Sequence, residues 1–402
     1  MLENGLTLIY EHKVGELTSF CIGFNAGAVI ETKENYGVAH ALEHMLFKGT
    51  KTKSEFEINR ICDETFGFHN AMTNFPYAIY YGTTLSKDFS KGLNIYGDII
   101  INPSFPISGF GEEMNIILEE LKEWKDDPYQ YLEDSLFFNA FKSRRIKNII
   151  IGTDESIRKI ELDTIKEHYK KFYGPRNCVI SVVSSFNFES VFEIVKNCFE
   201  GFDNDAKRAN IESGERNIPG KFEIEREGIK GAKIQYCFSI DELHNEELKA
   251  LSIFNFCFGE GTSSILYDEI RTKNALAYEV YSSIKNEKGI KLFSIVMGTS
   301  KENIEGAIKL INSSIEAIKI CKNYFSKERI EAAVKSLKLR KAFKNERSIE
   351  IAKTITTYEL MYGDYNIMFE ETEELDYITE IDVLNVINKV LVNPTIQIIK
   401  PK

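Results

Sequence analysis

One strand-to-helix junction occurs twice in this chain, and the repeat constrains the fold more than any other feature. It reads IYYGTTLSKDFSKGLNI at 79–95 and FSIVMGTSKENIEGAIKL at 293–310. In each copy an apolar run gives way to a short polar turn and then to apolar residues at helical spacing. The order of elements around the junctions also repeats. In the first half, an apolar strand from Phe20 to Ile30 leads to a helix around residues 36–48. A strand from Tyr77 to Leu85 and a helix starting near Ser90 follow. In the second half, a strand from Lys233 to Ile240 leads to a helix at 245–258. Strands near 278–284 and 290–298 come next, then a helix from Glu302. Each half closes on helical segments, clearest in DESIRKIELDTIKEHYKKF and SKERIEAAVKSLKLRKAF. Residues 203–220, DNDAKRANIESGERNIPG, form the most polar connection and read as a linker. The expectation is an α+β protein of two domains related by duplication, 1–202 and 221–402, each a mostly antiparallel sheet covered by helices. A length of 402 residues suits two cores better than one.

Composition narrows the partners. Lys and Arg number 50 against 61 Asp and Glu, a net charge of −11, which argues against nucleic acid or an anionic membrane as the main partner. The seven cysteines (21, 62, 178, 198, 237, 257 and 321) are scattered without a C-x-x-C pair, and read as reduced core thiols. The first residues carry no basic-then-apolar signal, and no run approaches 18 apolar residues, so the cytoplasm is the expected compartment.

Chemistry concentrates in the run YGVAHALEHMLF at 36–47. Val38, Leu42, Met45 and Leu46 supply an apolar stripe at helical spacing. On such a helix His40 and His44 project together, with Glu43 about a quarter turn away. Two imidazoles one turn apart can share a metal, and an adjacent carboxylate outside the ligand set can accept a proton from water. H-x-x-E-H is the inverted zinc-peptidase order; the plain alternative is two histidines on a solvated helix face. Catalytic zinc usually takes a third protein ligand, and the run EEMNIILEELKEW at 112–124 is where to look. Met114, Ile117, Leu118, Leu121 and Trp124 form its buried stripe, and Glu113 and Glu120, seven apart, line one edge. Spacing alone leaves open whether these two are ligands or surface acids. Glu112, Glu119 and Glu123 read as solvated.

With these residues in place, the sequence resembles the pitrilysin-type inverzincins. Within them it resembles the half-length branch that includes the catalytic subunit of mitochondrial processing peptidase and its bacterial relatives. The resemblance rests on Asn4-Gly5-Leu6, on Asn25-Ala26-Gly27-Ala28 and on the run from Gly37 to Thr50 with His40, Glu43 and His44. It extends through Asn70-Ala71-Met72-Thr73 and the Glu113/Glu120 helix ending in Asp126-Asp127-Pro128 to the run from Gly259 to Arg271 and on to Ala277-Tyr278. It implies half of a clamshell, with one Zn2+ per chain held by His40, His44 and Glu120. Glu43 would be the general base and Glu113 an auxiliary acid. By the same resemblance, Asn70, Ala71, Met72 and Thr73 form an edge-strand segment to which a peptide adds as a further strand; the bland reading is a turn before the next strand. His69 is expected to be structural or to face substrate rather than ligate. Arg271 and Tyr278 resemble a distal pair that contacts the substrate backbone and steadies the developing oxyanion; otherwise they are a surface arginine and an ordinary strand tyrosine.

The implied activity is a zinc endopeptidase cutting unfolded or short peptides inside a dimeric chamber. Carrying both the zinc set and the Arg271/Tyr278 pair on one chain favours a homodimer over a heterodimer with a related subunit. Two alternatives stand beside this: a non-catalytic peptide-binding or assembly subunit, and a protease dedicated to leader peptides. The run from Ser143 to Gly152 and the strand end Val182–Phe186 depart from the family pattern, which bears on substrate preference.

Overall fold

The computed structural model describes residues 1–206, 214–321 and 323–402; the central part of the expected linker, 207–213, lies outside the described residues. The first half runs β1 (Thr7–His12), β2 (Leu17–Phe24), α1 (Val38–Leu46), α2 (Glu55–Thr65), β3 (Phe66–Thr73), β4 (Ala78–Leu85) and α3 (Phe89–Ile101). It continues through α4 (Phe110–Asp126), α5 (Pro128–Ala140), α6 (Asp154–Lys159), α7 (Leu162–Phe172), β5 (Cys178–Ser184) and α8 (Phe188–Phe199). The second half runs β6 (Gly220–Arg226), β7 (Ala232–Ser239), α9 (Asn245–Gly259), β8 (Glu279–Glu287), β9 (Ile290–Thr299) and α10 (Ile304–Ile320). It ends in α11 (Lys327–Asn345), α12 (Ser348–Tyr362), α13 (Ile367–Glu370), α14 (Glu380–Val390) and β10 (Thr395–Pro401).

Two five-stranded mixed sheets result, ordered β1-β5-β2-β4-β3 and β6-β10-β7-β9-β8. In each, one outer pair is parallel (β1 with β5, β6 with β10) and the remaining pairs are antiparallel. The topologies match strand for strand, so the fold is α+β and built twice. The two repeated junctions are the β4-to-α3 and β9-to-α10 passages, each through a single 3-10 turn at Ser86–Asp88 and Lys301–Asn303. The first apolar strand ends earlier than its pattern suggested, at Phe24, and residues 28–30 form a 3-10 turn instead. Gly27 explains the break: a Cβ there would lie 2.3 Å from Asn74 O and 2.5 Å from Phe75 O, so backbone crosses backbone at that point.

Packing divides the chain into two compact units. The first comprises Met1–Lys122, Ile149–Ile211 and Ala342–Met368; the second comprises Glu123–Asn148, Glu212–Lys341 and Phe369–Lys402. Each unit is therefore discontinuous in sequence, unlike a division at 202 and 221. Within the first unit one sheet face packs on α1, α3 and α7 through Phe20, Phe24, Tyr80, Leu42, Met45 and Tyr96. The other face of that sheet is closed by α12, which lies on β2 and β5. In the second unit α5 does the same for β7 and β10. A five-stranded sheet with two apolar faces needs cover on both, and here the second cover comes from the other half of the sequence. All seven cysteines are free; five are buried, Cys198 is half-buried and Cys321 is exposed. No helix among the described residues is long and apolar enough to cross a membrane.

Candidate metal centre

Two helices of the first unit, α1 and α4, carry the polar cluster. The start of α1 is held from outside the helix. Glu31, itself buried, accepts from the backbone N–H of Gly37 (3.0 Å) and of Ala39 (2.8 Å). A carboxylate there satisfies orphan donors and complements the helix dipole. Gly37 has φ +95°, and a Cβ on it would meet Ile151 O at 2.5 Å, so this entry accepts only glycine. Val38, Leu42, Met45 and Leu46 are buried as the periodicity required, and they turn His40, Glu43 and His44 the other way.

His40 Nε2 lies 3.6 Å from Glu120 Oε1, and His44 Nε2 lies 3.4 Å from Glu120 Oε2. One potential ligand atom from each of His40, His44 and Glu120 falls within 4.8 Å of the others, and this is the only such trio among the described residues. The donor set of two imidazoles and one carboxylate suits zinc and leaves a coordination position for water or substrate. His44 is also anchored behind: its Nδ1 is 2.7 Å from Glu113 Oε1, which turns Nε2 toward Glu120. The residues therefore fit a metal.

The electrostatics of the cluster agree. Burial, reinforced by neighbouring His44, pushes His40 down to about 4, which leaves its imidazole neutral near pH 7. Burial acts the same way on His44, but hydrogen bonds to Glu113 and Glu120 outweigh it and raise the group to about 9. The carboxylates of Glu113 and Glu120 on either side of His44 place negative charge where a cation would sit. Burial would also raise Glu113, yet hydrogen bonds from His44 and Lys48 overcome it and hold the carboxyl below its usual range. The bond to His44 likewise lowers Glu120. Glu43 is raised, chiefly by burial. Thr73 holds that carboxylate with its hydroxyl, donating to Oε2 at 2.5 Å, and with a backbone hydrogen bond.

Sequence-expected residues thus fall into three places. His40, Glu43, His44, Glu113 and Glu120 come together, and Thr73 joins them through Glu43. Asn70, Ala71 and Met72 lie on β3, which is an edge strand paired only with β4. Asn70 Oδ1 accepts from the Ala71 N–H (2.8 Å), and Asn70 and Met72 are exposed. His69 stays outside the metal trio and bonds Tyr96 Oη through Nδ1 (3.0 Å). Arg271 and Tyr278 belong to the second unit. Arg271 lies in a π-helical turn, Tyr267–Lys273, with its guanidinium 4.7 Å from the Tyr267 ring centre and 5.9 Å from that of Tyr278. Tyr278 is 90% exposed. Glu112, Glu119 and Glu123 are exposed, as expected. Three contributors escaped sequence reasoning: Glu31, Lys48 and the grip of Thr73 on Glu43. Lys48 was discoverable, standing one helical turn after His44, but its partners are not local.

Comparison with known proteins gives consistent results. Residues 7–154 match the family model "Insulinase (Peptidase family M16)", and residues 159–337 match "Peptidase M16 inactive domain". A Bacillus subtilis (strain 168) protein named as an uncharacterized zinc protease, YmxG, is 27% identical over 326 residues, 79% of this chain and 77% of its own length. The beta subunit of the mitochondrial-processing peptidase of Dictyostelium discoideum is 32% identical over 216 residues, 52% of this chain and 46% of that one. The fold superposes on the crystal structure of a protease from Helicobacter pylori with TM-score 0.90 and 22% identity, covering 100% of this chain and 98% of that one. It also superposes on a Pseudomonas fluorescens structure described as a peptidase M16 inactive domain, with TM-score 0.89, 19% identity, and coverage of 100% and 96%. Two matched domains in family order, zinc-protease relatives and a shared double α+β fold lead to one conclusion: this chain belongs to the M16 peptidase family, as a half-length member.

Proposed function

We propose that this protein is a zinc-dependent endopeptidase acting on unfolded or short peptides, with one zinc per chain held by His40, His44 and Glu120. The observation that carries the reading is the convergence of those three ligand atoms within 4.8 Å beside a half-buried, hydrogen-bonded Glu43. Zinc bound there would supply a Lewis acid that polarises the scissile carbonyl and makes water a stronger acid. Glu43, with its carboxyl raised by burial, takes the proton from the attacking water and returns it to the departing amine. Glu113 keeps the His44 ring aimed. An extended peptide adds along the free side of β3, where strand pairing holds sequences of many kinds. Arg271 and Tyr278 contact the substrate backbone and the developing oxyanion in a homodimeric chamber, each chain serving its partner's zinc. The exposure of Tyr278 and its contact with the Arg271 guanidinium support their availability for this role.

The test is hydrolysis of an unstructured peptide library by the zinc-loaded chain, beside Glu43→Gln. Chelator-sensitive cleavage is expected from the first. The variant should bind zinc equally and cleave nothing; cleavage by Glu43→Gln at the parent rate overturns the assignment. Mixing Glu43→Gln with Arg271→Ala tests the shared chamber, since exchange creates one intact site and activity should partly return. Mixed dimers that remain inactive refute it.

A further inference from the structure

Lys48 lies just past the end of α1, and its side chain is only 16% exposed. Its ammonium donates to Glu113 Oε2 (2.9 Å) and to Glu55 Oε1 at the start of α2 (2.7 Å). Glu113 is itself 7% exposed and uses its other oxygen for His44 Nδ1 at 2.7 Å. A continuous line therefore runs from Glu55 through Lys48 and Glu113 to His44, and His44 Nε2 ends that line 3.4 Å from Glu120. We infer that Lys48 is a positioning residue for the metal: it pins the Glu113 carboxylate so that His44 presents Nε2 to the metal trio.

The physical reason is rotational freedom. A glutamate side chain ends in a broad, weakly defined torsion, and a buried carboxylate with a single partner is poorly held and costly. Lys48 takes the second oxygen and leaves Glu113 one orientation, the one that meets His44. His40 has no comparable anchor, since its Nδ1 is buried without a hydrogen-bond partner. The aim of the ligand set thus depends on the His44 line. A competing effect runs the other way, because an ammonium near the site repels a divalent cation. If Lys48 contributed only charge, removing it would tighten metal binding. If it positions, removing it weakens metal binding.

This inference rests on the zinc reading and is tested apart from catalysis, by chelator-competition titration of the full chain with Zn2+ and with Co2+. Lys48→Met should weaken binding about tenfold, the lower end of what loss of an outer-shell partner costs, and should shift the visible Co2+ bands. Lys48→Arg should restore both. Lys53→Met breaks an ion pair outside that line, to Asp98 (2.9 Å), so it should leave metal affinity unchanged. Lys48→Gln replaces the Met variant if that one does not fold, with the same expected loss. Binding as tight as or tighter than the parent in Lys48→Met overturns the inference. So does a Lys53→Met variant that loses metal equally, since the effect would then be general destabilisation. A parent chain that binds no Zn2+, or whose binding survives His44→Ala, overturns the zinc reading and this inference with it.

Discussion

The two sheets share one strand order, and in each a helix follows the second strand, yet α1 carries two histidines and α9 none. The face of α1 turned from the core carries His40, Glu43 and His44. The corresponding helix α9 buries Leu251, Ile253, Phe254, Cys257 and Phe258, together with Asn255, which bonds Ser282 at 2.7 Å, and Lys249, which pairs with Glu246 at 3.1 Å. The later helices differ likewise. Glu113 is buried within the apolar stripe of α4, whereas α11 buries Ile330, Ala333 and Val334. The scaffold thus tolerates either surface. What permits the polar one is a set of partners that leaves His40 Nδ1 as the exception: Glu31 at the helix start, Thr73 on Glu43, and Lys48 with His44 on Glu113. Each buried polar group in that unit would otherwise cost a few kcal/mol.

The covering helices show a second contrast. Against β2 and β5, α12 uses hydroxyls: Ser348 meets Ser19 at 2.8 Å, and Thr356 meets Ser181 at 2.7 Å and donates to Cys21 O at 3.2 Å. In the second unit α5 uses charge and amide. Glu133 pairs with Lys285 at 3.1 Å, Tyr129 Oη donates to Glu279 at 2.6 Å, and Asn139 donates to Gln397 at 2.7 Å.

These contrasts can be broken experimentally. The largest effect expected is from Glu120→Ala, which should abolish tight zinc binding and with it the rise in melting temperature that excess zinc produces in the parent; an undiminished rise would return Glu120 to the surface acids. Phe254→Ala in α9 should cost about 3–5 kcal/mol of stability, with zinc affinity unchanged in the folded protein. Denaturant titration and metal titration together check it, and a joint loss would mean that the units are not functionally separable. Thr73→Val removes a hydrogen bond to a charged group, an interaction of about 1.5–3 kcal/mol. It should lower kcat by about tenfold or more at constant KM and zinc content, with Thr73→Ser restoring the rate. An unchanged kcat would show that the backbone bond alone positions Glu43.

The smallest prediction concerns α5. Burial raises Asp134 to about 6, against hydrogen bonds from Trp124 Nε1 (2.8 Å) and Gln130 (3.2 Å). A folded carboxyl raised above its unfolded value binds more protons when folded, so its contribution to stability grows as pH falls from 7 through 6 toward 4. Asp134→Asn should therefore be more stable than the parent by about 1–2 kcal/mol at pH 7, after discounting for partial exposure and the weakened bond to Trp124. The difference should vanish near pH 4. A pH-independent difference would show that Asp134 is not desolvated as described.

Much of the fold was legible because its signals are local. The 79–95 and 293–310 junctions, the α1 stripe and the i, i+4 histidines are set by neighbours within a turn or two, where helix and strand periods act directly. The strand order was not legible. β5 inserts between β1 and β2, pairing Val179 with Thr7, and nothing near residue 179 says so. Likewise, the interleaving of 123–148 and 342–368 reflects which sheet face lacks cover, a property of the assembled sheet.

The candidate site divides along the same line. By itself the sequence determined which side chains with metal-binding chemistry share a helix face: His40 with His44 on one, Glu113 with Glu120 on another. Only the tertiary structure decided that the two helices meet, that Glu120 faces both imidazoles, and that Glu113 stands behind His44 rather than within the trio of His40, His44 and Glu120. It also supplied Glu31, Lys48 and Thr73 as the groups that satisfy this polar surface. Helical spacing reports which residues face one way; what they face depends on burial and on partners distant in the chain, and no local period encodes that.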